Sequence, residues 1–213
     1  MPEAVPSLVL ASASPRRREL LGALGLTFRV APADLDEAAI GDGLPPERAV
    51  LAVASAKAAV LGGAGGVVLA ADTMVVLEGR VLGKPASPGD AHDMLAALRG
   101  RSHEVVTAVV VRADGDTQRA VRRSTVRMRA YGHDEIAAYV ATGSGLDKAG
   151  AYGIQDEPFC PVEAIEGCWC NVMGLPLWTA VRLLDRAGCP APRDPGQVRA
   201  RCAACPLLDG EPA

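Results

Sequence analysis

Aromatic side chains are scarce in this chain: two Phe, three Tyr and two Trp among 213 residues. The core therefore has to be assembled from Ala, Val and Leu. A chain of this length buries enough surface for such a core, in one large domain or in two lobes built into one unit. An excess of charge of either sign is lacking too. Twenty-two Lys and Arg face 25 Asp and Glu, a formal net charge of −3. No overall field then favours a nucleic-acid polymer or an anionic membrane, and any bound anion must be held by a local cluster. That points to a small phosphorylated ligand. No stretch approaches the ~18 unbroken apolar residues of a membrane span. The first residues, Met1-Pro2-Glu3-Ala4-Val5-Pro6, lack the basic start and apolar run of a secretory signal. By default these absences imply a cytoplasmic protein, in which the six cysteines read as thiols or metal ligands rather than disulfides.

Several phosphate chemistries lack their signatures. There is no Gly-rich loop ending in Gly-Lys-Ser/Thr, no Gly-x-Gly-x-x-Gly after a strand and no serine nucleophile elbow. A phosphoaspartate phosphatase would carry a second Asp two residues after Asp72, where Met74 stands.

What is present alternates between strand and helix signals. The run Ser7–Ala11 reads as a buried strand, and Ser14-Pro15 as the N-cap and first turn of a helix whose Leu20, Leu21 and Leu24 share a face and which Gly25 ends. A second helix is expected from about Pro46 to Leu61, stopped by Gly62-Gly63. Val67–Leu77 reads as a long strand interrupted by Asp72 and Thr73, followed by a turn at Glu78-Gly79. A third helix is bounded by Ser87-Pro88 and Gly100, and strands at 104–112 and 117–129 form a hairpin through Asp114-Gly115-Asp116. His133-Asp134 opens a helix through Val140, a Gly-rich loop covers 143–155, and a last helix follows Gly174-Leu175-Pro176 to about Ala187. Hairpins and crossovers together predict an α/β domain with a mixed sheet. No internal repeat is evident. After Gly188 the chain turns rich in Pro, Cys and Arg and reads as a tail, dividing it into 1–188 and 189–213.

The chemistry-bearing residues are few. Arg16, Arg17 and Arg18 occupy the first turn of a helix, where the dipole disfavours each exposed cation by ~0.3–1 kcal/mol. An anion at the same place would resolve the conflict, with free N–H groups, serine hydroxyls and guanidinium forks converging on phosphate oxygens. Taken alone, the run reads equally as a solvated basic face beside Glu19. Asp72 leaves a mostly buried strand, and an unpaired buried carboxylate costs several kcal/mol (~3–5 once a partner is removed), so it needs a cation, donors or a wet cleft. Near a metal it could bind Mg²⁺, orient water or accept its proton; otherwise it caps a neighbouring turn. Lys57 and Lys84 are the point charges that neutralise phosphates, though each alone reads as a surface lysine. Lys148 lies among glycines that let backbone approach a ligand. Asp36 and Glu37 could help hold a hard cation or simply open a loop. His92 and His103 read as surface or capping residues, and Trp169 and Trp178 as core.

Together these segments resemble the Maf family of nucleoside triphosphate pyrophosphatases. The matching pieces are Leu-Ala-Ser-Ala-Ser-Pro-Arg-Arg-Arg-Glu-Leu-Leu at 10–21, Asp36-Glu37, Ala-Lys-Ala at 56–58 and Ala-Ala-Asp-Thr-Met-Val at 70–75. They continue with Leu-Gly-Lys-Pro at 82–85, Leu-Asp-Lys-Ala-Gly-Ala-Tyr-Gly-Ile-Gln at 146–155 and Asn-Val-Met-Gly-Leu-Pro-Leu at 171–177. Each piece is weak alone; the ordered set over about 7–187 is specific. The resemblance implies an elongated two-lobed α/β fold like that of inosine triphosphatases, with the site in the cleft between lobes. It also implies a divalent cation, Mg²⁺ or Mn²⁺, and often a homodimer. It casts Asp72 as catalytic acid/base, with Glu37 and Asp72 toward the metal. Ser12, Arg17, Lys57, Lys84 and Lys148 fall where the family binds substrate phosphates, and Arg16, Thr73 and Gln155 where it sets substrate choice, here of the kind that acts on dTTP and UTP. Two rival readings remain beside it: a regulatory nucleotide-binding protein tied to cell division, and a house-cleaning enzyme for purine or modified nucleotides such as 7-methyl-GTP.

Two stretches depart from the pattern. Cys168-Trp169-Cys170 stands where the family more often shows Ser- or Tyr-like residues, and reads as ordinary strand packing. Cys202-Ala203-Ala204-Cys205 has the spacing of half a zinc site but no second well-spaced pair. Cys189 or Cys160 could complete it only if the fold brought either near; the plainer expectation is a flexible thiol-bearing tail.

Overall fold

The computed structural model describes residues 7–61 and 66–208. Strand β1 (Leu8–Leu10) is apolar and buried at every position, and the chain leaves it through Ser12 and Ser14. The Ser14 side chain accepts the backbone N–H of Arg17, which caps α1 (Pro15–Ala23) as expected, with Pro15 in the first turn where its missing N–H costs nothing. Then come β2 (Phe28–Val30), α2 (Glu37–Gly41) and α3 (Pro46–Leu61); Gly62-Gly63, the expected stop of α3, lie outside the described residues. Strand β3 (Val67–Leu77) turns into β4 (Arg80–Leu82), and Ser87 caps α4 (Pro88–Leu98). The hairpin of β5 (Ser102–Ala113) and β6 (Asp116–Met128) turns at Asp114 and Gly115, both at positive φ. After α5 (His133–Ala141) and one 3₁₀ turn (Ala149–Ala151) come β7 (Val162–Glu166), α6 (Trp169–Val172), α7 (Leu177–Arg186), α8 (Pro195–Val198) and α9 (Ala200–Ala203). The short elements β2, α2, β7 and α6 were not legible as such; three to five residues carry no periodicity.

Seven strands form one mixed sheet in the order β2-β1-β3-β5-β6-β7, with β4 also on β3. Strand β1 runs parallel to β2 and β3, and the remaining pairs are antiparallel. The period-2 alternation of β3 and β5 distributes the core. Val68, Ala70 and Val76 with Val106, Ala108 and Val110 pack on Val50, Ala54 and Ala58 of α3. The opposite face holds two separate cores. At one end Leu69, Ala71, Val109 and Val111 meet α1 and α7, whereas at the other Val75, Leu77 and Val105 meet α4 and α5. Between them lie Thr73 and its cross-strand partner Thr107. One polar row thus interrupts the apolar face and makes two lobes of a continuous sheet.

The segment after Gly188 is folded onto the domain over its described length. Cys189, Cys202, Cys205 and Leu207 are buried in the core formed by α1 and α7. Arg193 N–H donates to Leu24 O (3.1 Å), Trp178 Nε1 to Cys202 O (2.9 Å) and Arg182 to Leu207 O (2.5 Å). Its sparse apolar residues cover a helical face, which composition alone conceals. His103 also departs from expectation: it is buried and its Nε2 lies 2.7 Å from the Tyr152 hydroxyl. Trp169 and Trp178 are half-buried against the first core.

Candidate active site

One edge of β3 is paired with β5 from Val68 to Val76, so β1 and β4 share the other. On that edge β1 ends its register at Leu10–Leu69, and β4 begins at Leu82–Val75. Among the described residues the edge between Leu69 and Val75 has no strand partner, which leaves a notch with Asp72 and Thr73 in it. The chain directions aim two loops at the notch from opposite ends. Parallel β1 runs up the edge and delivers Ser12; antiparallel β4 runs down it and delivers Gly83 and Lys84.

Ser12 and Arg17 form the lower wall. Ser12 Oγ accepts from Ser14 N–H and from an Arg17 terminal nitrogen (both 3.2 Å). The guanidinium also donates from Nε to Gly174 O (2.8 Å) and from its second terminal nitrogen to Thr73 Oγ1 (3.0 Å). Arg17 is thus buried and braced, and burial lowers its pKa while the nearby Asp72 and Glu37 charges oppose that. Thr107 donates its one hydroxyl proton to Asn171 O (3.0 Å), so the 3.0 Å contact between Thr73 and Thr107 must have Thr73 as donor. Direction runs one way, Arg17 to Thr73 to Thr107 to Asn171. Arg16 stays partly exposed and faces Asp147 Oδ2 at 3.9 Å. Arg18 is exposed.

Asp72 points to the α3 face. Its Oδ1 accepts from Lys57 Nζ (2.9 Å), and the same ammonium lies 2.9 Å from Glu37 Oε1. Lys57 is therefore a buried bridge rather than a surface lysine. Asp36 caps α2 through Ala39 N–H (3.0 Å), which turns Glu37 toward Lys57. Burial pushes the Asp72 pKa up; Lys57 and Arg17 pull it back. Two carboxylates that already embrace one cation are a donor set suited to a hard divalent ion, which takes one or two carboxylates and completes its shell with phosphates and water. Among the described residues no group of three or more metal-ligating side chains stands preset for an ion.

The upper wall comes from the other lobe. Gly83 O accepts from Gly150 N–H (3.1 Å), which ties the Lys84 turn to the glycine-rich loop. Lys84 is exposed and has no ion pair among the described residues. Lys148 pairs with Asp147 (2.8 Å) and lies 3.6 Å from Asp156, which also accepts from Tyr139 OH (2.5 Å). Gln155 is exposed beside Asp156. Arg16 to Asp147 is the one ion pair that reaches from α1 to this loop among the described residues.

Four positions that matter here were not singled out from sequence: Thr107, Ser124, Asn171 and Gly174. Thr107 carries a legible signal, a lone hydroxyl within the run Val105-Val106-Thr107-Ala108-Val109. Asn171 is fully buried and donates to Val105 O and Ser124 Oγ (both 3.0 Å), a role that only the fold exposes. A groove lined by Ser7, Thr27, Phe28, Arg29 and Leu61 lies on the β1–β2 side. It holds none of the residues above, so the notch remains the place for chemistry.

The chain matches the model of the Maf-like protein family over residues 7–187. The dTTP/UTP pyrophosphatase of Thermomicrobium roseum is 48% identical over 209 residues, covering 96% of this chain and 95% of its own. That of Anaeromyxobacter dehalogenans is 51% identical over 191 residues, covering 88% and 97%. Among solved structures, a HAM1 protein from Coxiella burnetii superposes with a TM-score of 0.43 at 18% identity, covering 59% of this chain and 74% of its own.

Proposed function

The chain belongs to the Maf family, and from that premise we propose that it is a nucleoside triphosphate pyrophosphatase acting on dTTP and UTP with the help of Mg²⁺ or Mn²⁺. The observation that carries this reading is the notch itself: a buried carboxylate, Asp72, held by Lys57 at the point where Ser12, Arg17 and Lys84 converge. The names of the relatives at 48% and 51% identity point to the same substrates.

In the reaction, water adds through oxygen to a phosphorus of the α–β anhydride, that P–O bond breaks, and pyrophosphate departs from the nucleoside monophosphate. Asp72 takes the water's proton. Burial raises its proton affinity above that of a solvated carboxylate, while Lys57 keeps it ionised until the proton arrives. Arg16, Lys84 and Lys148 line the two walls and offset charge gathering on the phosphate oxygens. Arg17 positions Ser12 and Thr73 from behind. Asp72 and Glu37 would hold the divalent cation, which when bound neutralises phosphate charge. Gln155, on the upper wall, offers an amide acceptor and donor to the N3–H and carbonyl of a pyrimidine edge.

The test is pyrophosphate release from a panel of canonical and modified triphosphates, with Mg²⁺ or Mn²⁺. Asp72→Asn should lower turnover by about 10²- to 10⁴-fold and spare nucleotide binding. The fold should persist, because Lys57 keeps Glu37. Full activity in that variant overturns the assignment. Gln155→Glu leaves the base without its donor, a deficit of ~1–3 kcal/mol, so dTTP and UTP turnover should fall by roughly 10- to 100-fold relative to other nucleotides. An unchanged preference removes Gln155 from the base site.

A further inference from the structure

Four of the six cysteines converge in one place, away from the notch. Cys168 caps α6 and Cys170 lies within it; Cys202 lies in α9 and Cys205 just beyond. All four are buried in the same core, Cys168 and Cys170 at 3% and 1% exposure, Cys202 and Cys205 at 1% and 6%. The sulfurs touch across the two segments: Cys170 Sγ is 3.3 Å from Cys202 Sγ, and Cys168 makes side-chain contacts with Cys170 and Cys205. The backbone N–H groups of Asn171 and Val172 donate to the Cys168 carbonyl (3.1 and 3.3 Å), which fixes the turn that carries Cys168 and Cys170.

We propose that Cys168, Cys170, Cys202 and Cys205 bind one structural Zn²⁺ through four thiolates, fastening the C-terminal segment to α6. The pair that completes the Cys-x-x-Cys half-site is Cys168 and Cys170, not Cys189 or Cys160. Buried cysteines commonly serve as small apolar residues, but here two closely spaced pairs from segments 32 residues apart meet sulfur to sulfur. Soft thiolates in a closed tetrahedral set select zinc. Magnitudes favour the metal over a disulfide. Zn–S bonds of ~2.3 Å set a tetrahedral edge of about 3.8 Å, so the 3.3 Å Cys170–Cys202 spacing needs about half an ångström of opening. A disulfide of ~2.05 Å needs more than twice that in closure. No group of three or more metal-ligating side chains stands preset for an ion among the described residues, so the four sulfurs would have to rearrange to take one. No residue of the notch takes part, so the two metal assignments stand or fall separately.

The test is elemental analysis of the full-length protein, purified under reducing conditions from zinc-replete cells, with Cd²⁺ or Co²⁺ exchange. About one zinc per chain is expected, resistant to Mg²⁺ competition, with the d–d spectrum of tetrahedral tetrathiolate Co²⁺ after exchange. Cys202→Ser with Cys205→Ser should fall to near zero zinc, whereas Cys160→Ser and Cys189→Ser should keep it. The Co²⁺ spectrum of the unaltered protein decides the matter if the double variant fails to fold. Absence of zinc with all thiols freely titratable overturns the proposal, and so does a Cys170–Cys202 disulfide in the unreduced protein.

Discussion

Arg17 and Asp72 are both enclosed, and enclosure drives each toward its neutral form; Lys57 and Arg17 oppose this at Asp72, and Asp72 and Glu37 oppose it at Arg17. Residues of this kind are costly alone and stable only as a set, which is why they mark the site more sharply than exposed Lys84 or Gln155. His103 shows enclosure without a counter-charge. Its Nδ1 is buried with no hydrogen-bond partner, and burial pulls its pKa down to about 4. The folded state therefore binds fewer protons than the unfolded state between about pH 4 and about pH 6.5. Stability from this group is complete above the unfolded value and is lost as pH falls through that window, up to about 3 kcal/mol. Urea titrations at stepped pH should show this loss, and His103→Gln should flatten it. An unchanged slope in that variant would place the acid sensitivity elsewhere. Among single residues, Asp72 was legible because a carboxylate inside an apolar run is costly wherever it lies. The burial of Lys57 and His103 was not, because it depends on which strand or loop covers them.

At the scale of elements, α6 and the turn after it brace the site. Arg17 needs the carbonyl of Gly174, whose φ is +100 and whose added Cβ would stand 3.2 Å from Thr73 Oγ1 and 3.4 Å from Arg17 Nε. Gly174→Ala should therefore shift that carbonyl, at a backbone cost of ~1–3 kcal/mol. A KM for nucleotide raised by about tenfold or more is expected in steady-state assays, with the melting temperature lowered. A variant with native KM would mean that the bracing of Arg17 does not govern the phosphate site. The long elements were readable from periodicity: α3 and β3 stand at their expected residues. The notch was not, because it arises from where β1 stops and β4 starts along one edge of β3. Strand register is set by pairing, which no single segment records.

For the molecule as a whole, composition foretold an aliphatic core, and alternation of elements foretold a mixed sheet. The division into lobes has a simple cause, the Thr73–Thr107 row that separates two cores on one face. The C-terminal segment was misread because Pro, Cys and Arg suggest a tail, whereas the burial of a few side chains decides whether it docks. No described helix is long and apolar enough to cross a membrane. The scarcity of aromatics has a last consequence. Both tryptophans, Trp169 and Trp178, lie under the docked segment, one beneath Arg199 and Arg201 and the other bonded to Cys202 O. All three tyrosines, Tyr131, Tyr139 and Tyr152, belong to the opposite core. The two lobes thus carry different natural fluorophores, and indole emission, excited selectively at its red edge, reports on the end beneath the docked segment without any label.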